Sequence, residues 1–138
     1  MSPPIRVVIA DDHTLIRNGL KYLLSAEGDI QVVAETGNGR EAVELVRQYH
    51  PTAVIMDISM PELNGLDATK EILAELPDTK ILIISSHTEG YTLNNAFQSG
   101  ALGYISKVSS LLDVPQAIRE ILGGRLFIRL SPTESVRT

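Results

Sequence analysis

The chain has 138 residues, enough for one domain with a buried core, and its 43% hydrophobic and 21% charged residues are typical of folded globular proteins. It has no cysteine, which excludes disulfides and thiolate metal sites. Its net charge of −5 argues against a domain that grips nucleic acid by itself, because such binding depends on cationic contacts to phosphates.

Five short β-rich runs alternate with helical patterns along the chain. In order, the runs are IRVVIAD, IQVVAET, TAVIMD, KILIISS and ALGYIS. Most of them are almost continuously apolar, which is typical of strands buried on both faces of a parallel sheet. Apolar residues recur at helical spacing in five segments, near residues 16–24, 40–49, 66–76, 93–97 and 114–122. The alternation predicts a doubly wound α/β sheet with right-handed crossovers.

Polar side chains end four of the five predicted strands. Asp11 and Asp12 follow the first strand, Asp57 the third, Ser85 the fourth and Lys107 the fifth. Ligands of such sheets bind beyond the carboxyl ends of the strands, so these side chains are expected to share one site. Three close carboxylates need a counter-charge, and Mg²⁺ is a divalent ion that prefers oxygen ligands. A lysine there suits a phosphate, and a carboxylate can be the nucleophile that forms an aspartyl phosphate.

Each of these residues also has a plainer explanation when it is taken alone. Asp12 is in a position to cap the following helix, and Asp57 could simply open a loop. Lys107 alone would be a solvated charge, and Ser85 a strand-end hydroxyl. The three histidines do not form a ligand set by their spacing and are predicted to be surface or loop residues: His13, His50 and His87. The shared location at one sheet edge favours the joint site.

Four segments together resemble the receiver domain of bacterial two-component response regulators: VVIADDHTLIRNGLKYLL, VIMDISMPELNGLDAT, ILIISS and GALGYISK. The opening ADDH…R.GL..LL resembles the NarL/FixJ (LuxR-type) subfamily. The resemblance covers about residues 5–126. It implies a flavodoxin-like (CheY-like) five-stranded parallel sheet in the order 2-1-3-4-5 with five helices.

The resemblance also implies a phosphorylation site. Asp57 would accept a phosphoryl group from a sensor histidine kinase. Asp11, Asp12, Asp57 and the backbone carbonyl of Ser59 would surround Mg²⁺, with Mn²⁺ as a substitute. Lys107 would contact the phosphoryl group. The chain would be a phosphoacceptor with self-catalysed phosphotransfer and autodephosphorylation, and not otherwise an enzyme.

Four further positions are assigned through the same resemblance. Ser85 would bond the phosphoryl group after transfer, and Tyr104 would be an aromatic switch that turns inward into the space the Ser85 hydroxyl vacates. Ser59 and His87 would flank the path of the hydrolytic water and tune the lifetime of the aspartyl phosphate. Neither side chain is an acid or amide suited to orienting that water, so we expect slow autodephosphorylation.

The resemblance divides the chain into a receiver, residues 1–126, and a segment 127–138 that is a linker or the truncated start of a helix-turn-helix output domain. DNA would be bound only through that output domain, and phosphorylation would promote a homodimer. No apolar run approaches the roughly 20 residues of a membrane span, and the N-terminus lacks the build of a secretory signal. We therefore expect a cytoplasmic protein without a membrane partner.

Three alternatives to a regulated transcription factor stay open at this point. A stand-alone receiver would act through protein–protein contacts. A degenerate receiver would be expected to lack Asp12, Asp57 or Lys107, and all three are present. A Mg²⁺-dependent aspartyl-phosphate phosphohydrolase needs a second acid two residues after its nucleophile. Ser59 stands at that position after Asp57, and His13 stands there after Asp11, which disfavours the enzyme.

Overall fold

A central, mostly parallel sheet organises the chain in the computed structural model, which describes residues 3–86, 90–107, 111–131 and 134–135. The strands are β1 (Ile5–Ala10), β2 (Ile30–Thr36), β3 (Ala53–Asp57), β4 (Lys80–Ser85), β5 (Gly103–Ser106), β6 (Phe127–Ser131) and β7 (Glu134–Ser135). Their order is β2-β1-β3-β4-β5-β6-β7, and only β7 pairs antiparallel among them. The predicted order 2-1-3-4-5 is confirmed, and two strands extend it.

Five α-helices cover the two faces of the sheet. They are α1 (Thr14–Ser25), α2 (Gly39–Tyr49), α3 (Gly65–Glu75), α4 (Gly90–Gln98) and α5 (Val114–Leu122), with a short 3₁₀ helix at Leu111–Asp113. Strand residues alternate between two core clusters, so Val7 and Ile9 pack with α1 and α5, whereas Val8 and Ala10 pack with α2, α3 and α4. Of the helices described, none combines the length and the apolar character needed to cross a membrane.

The segment after α5 differs from the expected linker. Phe127 to Ser131 form β6, which pairs in parallel with β5, placing Phe127 opposite Gly103 and Ile128 opposite Tyr104. Phe127 and Ile128 are 8% and 9% exposed, because the edge of β5 offers them both backbone partners and apolar neighbours. The sheet therefore continues to residue 131, and the division of the chain into a receiver and a following segment stays a prediction.

Candidate functional site

The ends of β1, β3 and β5 bring the predicted acidic and basic side chains together. Asp57 is the last residue of β3, Asp11 directly follows β1, and Lys107 directly follows β5. Asp11 and Asp57 are 0% and 3% exposed, whereas Asp12 lies at the solvent-facing rim. The backbone N–H of Lys107 donates to the carbonyl of Ser85 at 2.6 Å, which ties the end of β5 to the end of β4. The prediction that these residues share one sheet edge is confirmed.

The Lys107 ammonium lies between two buried carboxylates. Its Nζ is 2.9 Å from Asp11 Oδ2 and 3.0 Å from Asp57 Oδ2. Yet these same two oxygens, both inaccessible to solvent, accept no hydrogen bond of good geometry from the part of the chain that the structure describes. They are held by charge attraction, so each keeps lone pairs available to a ligand.

The environment of Asp57 raises the pKa of its carboxyl group. Burial raises the pKa of Asp57 from the ordinary 3.8 to about 6, and the nearby negative charge of Asp11 adds to the rise. The ammonium of Lys107, 3.0 Å from Asp57 Oδ2, acts in the opposite direction. A pKa of about 6 still leaves the Asp57 carboxylate mostly ionised at neutral pH.

His13 is the residue of this site that the sequence reasoning missed. Its side chain is 58% exposed, as predicted for a surface residue, but its Nδ1 lies 3.1 Å from Asp11 Oδ1 and 3.2 Å from Asp12 Oδ1. The same nitrogen is 2.9 Å from Lys107 Nζ and 3.8 Å from Asp57 Oδ2. Spacing along the chain suggested no ligand set because the other ligands come from distant positions; the adjacency in ADDH was the only local signal.

The capping role considered for Asp12 is wrong. Helix α1 begins at Thr14 and its N-cap residue is His13, whose side chain makes no capping hydrogen bond. Asp12 precedes the cap, and its Oδ1 is directed at His13 Nδ1 instead. This placement leaves the Asp12 carboxylate at the rim of the site.

Arg17 fixes the backbone that carries the first two acids. Its guanidinium donates to the carbonyl oxygen of Asp11 at 2.6 Å and to Glu35 Oε1, at the end of β2, at 3.2 Å. The guanidinium therefore links the turn after β1 to β2. The R.GL motif alone gives Arg17 no physical role, whereas the structure shows that Arg17 connects Asp11 to Glu35.

The loop after Asp57 is held against the start of α3. Asn64 caps this helix, because its side-chain oxygen accepts from the N–H groups of Leu66 and Asp67, each at 2.9 Å. The Gly65 N–H donates to the carbonyl of Ile58 at 2.7 Å. A side chain at Gly65 would overlap the carbonyl oxygen of Asp57, so glycine permits this close approach.

The predicted lifetime positions are only partly described. Ser59 lies exposed in the loop between β3 and α3. His87 lies outside the described residues. The roles assigned to these two side chains stay predictions.

Ser85 and Tyr104, the two residues predicted to pass on the signal, are both buried in strands next to the site. Ser85 ends β4 and is 1% exposed. Tyr104, opposite Ile83 in the β4–β5 register, is 0% exposed and packs in the core cluster with α2, α3 and α4. The ring therefore lies in the core before any phosphoryl group is added, and the switch role assigned to Tyr104 stays a prediction.

The donor set fits a divalent cation. Among the described residues, Asp11, Asp12, His13 and Asp57 each offer a ligand atom, and these atoms all lie within 4.8 Å of one another. Carboxylate oxygens are the ligands that Mg²⁺ and Mn²⁺ prefer. The two buried oxygens of Asp11 and Asp57 that lack a hydrogen bond in the described structure are suited to such an ion.

Comparisons with characterised sequences agree with this arrangement. A family model for the response regulator receiver domain matches residues 7–119. The transcriptional regulatory protein DegU of Brevibacillus brevis is 36% identical over 132 residues, which are 96% of this chain and 56% of that protein. The transcriptional regulatory protein LiaR of Bacillus subtilis is 37% identical over 120 residues, 87% of this chain and 57% of that protein. The chain thus spans a little more than half the length of these relatives.

Solved structures show the same fold. A LuxR-family two-component response regulator from Aurantimonas sp. SI85-9A1 superposes with a TM-score of 0.86 at 34% identity, over 92% of this chain and 90% of that one. The signal receiver domain of the response regulator NarL from Mycobacterium tuberculosis gives 0.85 at 32% identity, over 90% of this chain and 100% of that one. On this likeness in sequence, fold and arrangement of acids, the chain belongs to the response regulator receiver domain family and is related to LuxR- and NarL-type regulators.

Proposed function

We propose that this chain receives a phosphoryl group on Asp57 from the phosphohistidine of a sensor kinase. An Asp57 carboxylate oxygen forms the new P–O bond while the P–N bond to the donor imidazole breaks. The imidazole keeps the electron pair of that bond and takes up a proton. The observation that supports this function best is that the buried carboxylates of Asp57 and Asp11 both lie within 3.0 Å of the Lys107 ammonium at one sheet edge.

The charges around Asp57 suit each stage of this transfer. Lys107, 9% exposed at its side chain, offers a positive charge beside the acceptor oxygen and toward an incoming phosphoryl group. Asp11, Asp12 and Asp57 would hold Mg²⁺, or Mn²⁺ in its place, with the Ser59 carbonyl as a further ligand. When bound, the ion would neutralise charge on the phosphoryl oxygens.

We further propose that phosphorylation is read out beyond the site. A phosphoryl group adds roughly −1.5 to −2 charges and strong acceptor oxygens beside Lys107. The Ser85 hydroxyl, at the end of the adjacent strand, would bond those oxygens, while Tyr104 would repack from its buried position. Ser59 and His87 would set the lifetime of the aspartyl phosphate.

The wider biological role is proposed from the relatives. The receiver would control an output domain such as a DNA-binding domain, joined after the strand β6, with a homodimer formed on phosphorylation. We propose that the chain acts in the cytoplasm, where a sensor kinase would present its phosphohistidine. A receiver that acts only by protein–protein contacts is the alternative.

Incubation with acetyl phosphate and Mg²⁺ tests the central step. We expect intact-mass measurement to show one added phosphoryl group that hydroxylamine removes, as expected for an acyl phosphate. Asp57→Asn should gain no phosphoryl group. Asp78→Asn, which changes an exposed aspartate in the loop before β4, should gain one as the parent does. Phosphorylation that persists in Asp57→Asn would assign the acceptor elsewhere.

The readout can be separated from acceptance with Ser85→Ala. We expect this variant to accept a phosphoryl group on Asp57 but to show a smaller change in amide exchange over residues 90–106 than the parent shows. The physical reason is the loss of the hydroxyl that would bond the phosphoryl oxygens. A full parental change in Ser85→Ala would mean that another route carries the signal.

A further inference from the structure

The ring of His13 lies beside the carboxylates of the site, and nothing in the proposed phosphotransfer requires it. Its backbone N–H donates to Asp11 Oδ1 at 2.7 Å, which fixes the residue at the mouth of the site. Its ring nitrogen Nδ1 then lies 3.1 Å from Asp11 Oδ1 and 3.2 Å from Asp12 Oδ1. The ring therefore adds a nitrogen to a site that otherwise offers only oxygen.

These distances match neighbouring ligands around a single ion. In an octahedron with bonds of about 2.1 Å, adjacent ligand atoms lie about 3.0 Å apart. The separations of Nδ1 from the Asp11 and Asp12 oxygens are close to that value. The imidazole thus occupies a ligand position relative to these carboxylates without a large movement of the chain.

A positive charge already lies beside His13 Nδ1 and the second oxygens of Asp11 and Asp57. Lys107 Nζ lies 2.9 Å from His13 Nδ1, 2.9 Å from Asp11 Oδ2 and 3.0 Å from Asp57 Oδ2. The two carboxylate oxygens are buried and accept no well-formed hydrogen bond within the described structure, so coordination to a cation would stabilise their negative charge. An ion that binds here would take over contacts that the ammonium now makes.

We propose that His13 Nδ1 is a direct ligand that gives this metal site a preference for first-row transition ions over Mg²⁺. The inference rests on the proposed Mg²⁺-binding function of the same carboxylates. Mg²⁺ gains little from a nitrogen ligand because it favours oxygen and holds its waters tightly. Co²⁺ and Ni²⁺ favour imidazole, so the extra affinity for these ions depends on His13.

Titrations with Co²⁺ and with Mg²⁺ alone, at one fixed pH, test this ligand. His13→Ser removes the imidazole while placing a favoured N-cap residue before α1, so we expect the variant to fold. We expect its Co²⁺ affinity to fall at least tenfold, since changing even residues that only orient a ligand costs roughly 10- to 100-fold. Its Mg²⁺ affinity should change by less than about threefold, because Mg²⁺ favours oxygen ligands.

A histidine remote from the site provides the control. His50 ends α2 with a positive φ of 46°, a conformation that asparagine tolerates, so His50→Asn should leave both affinities unchanged. Proton NMR of the Co²⁺-loaded protein gives a second readout. We expect an exchangeable, paramagnetically shifted imidazole N–H signal in the parent and in His50→Asn, but not in His13→Ser.

Three results would overturn the proposal, and they differ in what else they affect. Unchanged Co²⁺ affinity in His13→Ser, or an equal loss for both ions, removes His13 from the ligand set. In that case Mg²⁺-dependent phosphorylation of Asp57 in the same variant would show that the proposed function stands. A parent that binds neither ion would remove the metal site and, with it, both inferences.

Discussion

The buried carboxylates at the sheet edge repel each other, and a bound cation would reduce that repulsion. Asp11 and Asp57 lie beside each other with little solvent, and Lys107 answers part of their charge. Burying charge is costly unless it is fully paired. Because the groups that are costly to bury are also those proposed to act in phosphotransfer, we expect stability and phosphotransfer to depend on the same residues.

The raised pKa of Asp57 makes stability pH-dependent in a defined direction. Its pKa of about 6 lies above the ordinary 3.8, so the folded state holds this proton more tightly than the unfolded state does. The stabilising contribution is complete below about pH 4 and is lost as the pH rises through about 6. Asp57→Asn cannot ionise. The free energy of unfolding of Asp57→Asn minus that of the metal-free parent should therefore increase by roughly 2 to 3 kcal/mol from pH 4 to pH 7.

Urea unfolding with chelator at several pH values measures this difference. Glu75→Gln gives a control of opposite sign, because the hydrogen bond from Arg47 lowers the pKa of Glu75. That stabilising contribution is present above the ordinary value of 4.5 and is lost at lower pH, so Glu75→Gln should lose stability relative to the parent as the pH rises. A difference for Asp57→Asn that stays flat with pH would contradict the assigned pKa.

At the scale of elements, the first residues of α2 and α3 hold the loop that follows Asp57 in place. The start of α3 packs on the carbonyl of Asp57 through Gly65, and the start of α2 packs on the carbonyl of Leu63 through Gly39. These two contacts hold the loop that follows β3, the strand that ends in Asp57. Gly19, by contrast, lies within α1 with open space around the position of a side chain.

Opposite effects are therefore expected for the same substitution at two glycines. Gly65→Ala should destabilise the fold by more than about 2 kcal/mol, because the loop or the helix must move away to avoid overlap. Gly19→Ala should stabilise it by about 0.5–1 kcal/mol, since alanine restricts the unfolded chain and fits an unstrained helix. Thermal and urea unfolding would measure both changes. Equal effects at the two positions would mean that the close packing of α3 on Asp57 is wrong.

At the scale of the whole molecule, β6 extends the sheet past its predicted edge. Arg129 in β6 pairs with Asp113 at 3.1 Å, and its guanidinium lies 5.4 Å from the centre of the Phe127 ring. The strand thus connects β5 to the start of α5 by side-chain as well as backbone contacts. Lys107 directly follows β5, and β6 is the neighbour of β5 in the sheet, so a movement at Lys107 can reach β6 through one pair of strands.

Replacement of Phe127 tests whether β6 belongs to the folded unit. Phe127→Ala should lower the free energy of unfolding by roughly 2 to 4 kcal/mol, because it removes a buried ring from the core cluster with α1 and α5. Leu126→Ala, at a side chain that is 44% exposed, should cost less than about 1 kcal/mol. Chemical denaturation of both variants compares the two losses. If they match, residues 127–131 are not part of the cooperative domain.

The sequence by itself determined the parallel sheet, its helical layers and the edge where the site lies. Apolar runs of strand length can be buried on both faces only in a covered sheet, and parallel strands must bring Asp57 and Lys107 to the same edge. These conclusions follow from periodicity and chain direction, which are local properties of the chain. The candidate site residues at the strand ends could therefore be named from the sequence.

Only the tertiary structure decided which side chains meet within that edge and how far the sheet extends. The contacts of His13 with the acids and of Arg17 with Asp11 depend on side-chain directions that no local pattern contains. The burial of Tyr104 depends on helices packed from elsewhere in the chain. Strand β6 was missed because its short, partly polar sequence is a strand only where β5 offers a free edge. Each of these features is decided by partners distant in sequence, and packing in three dimensions brings those partners together.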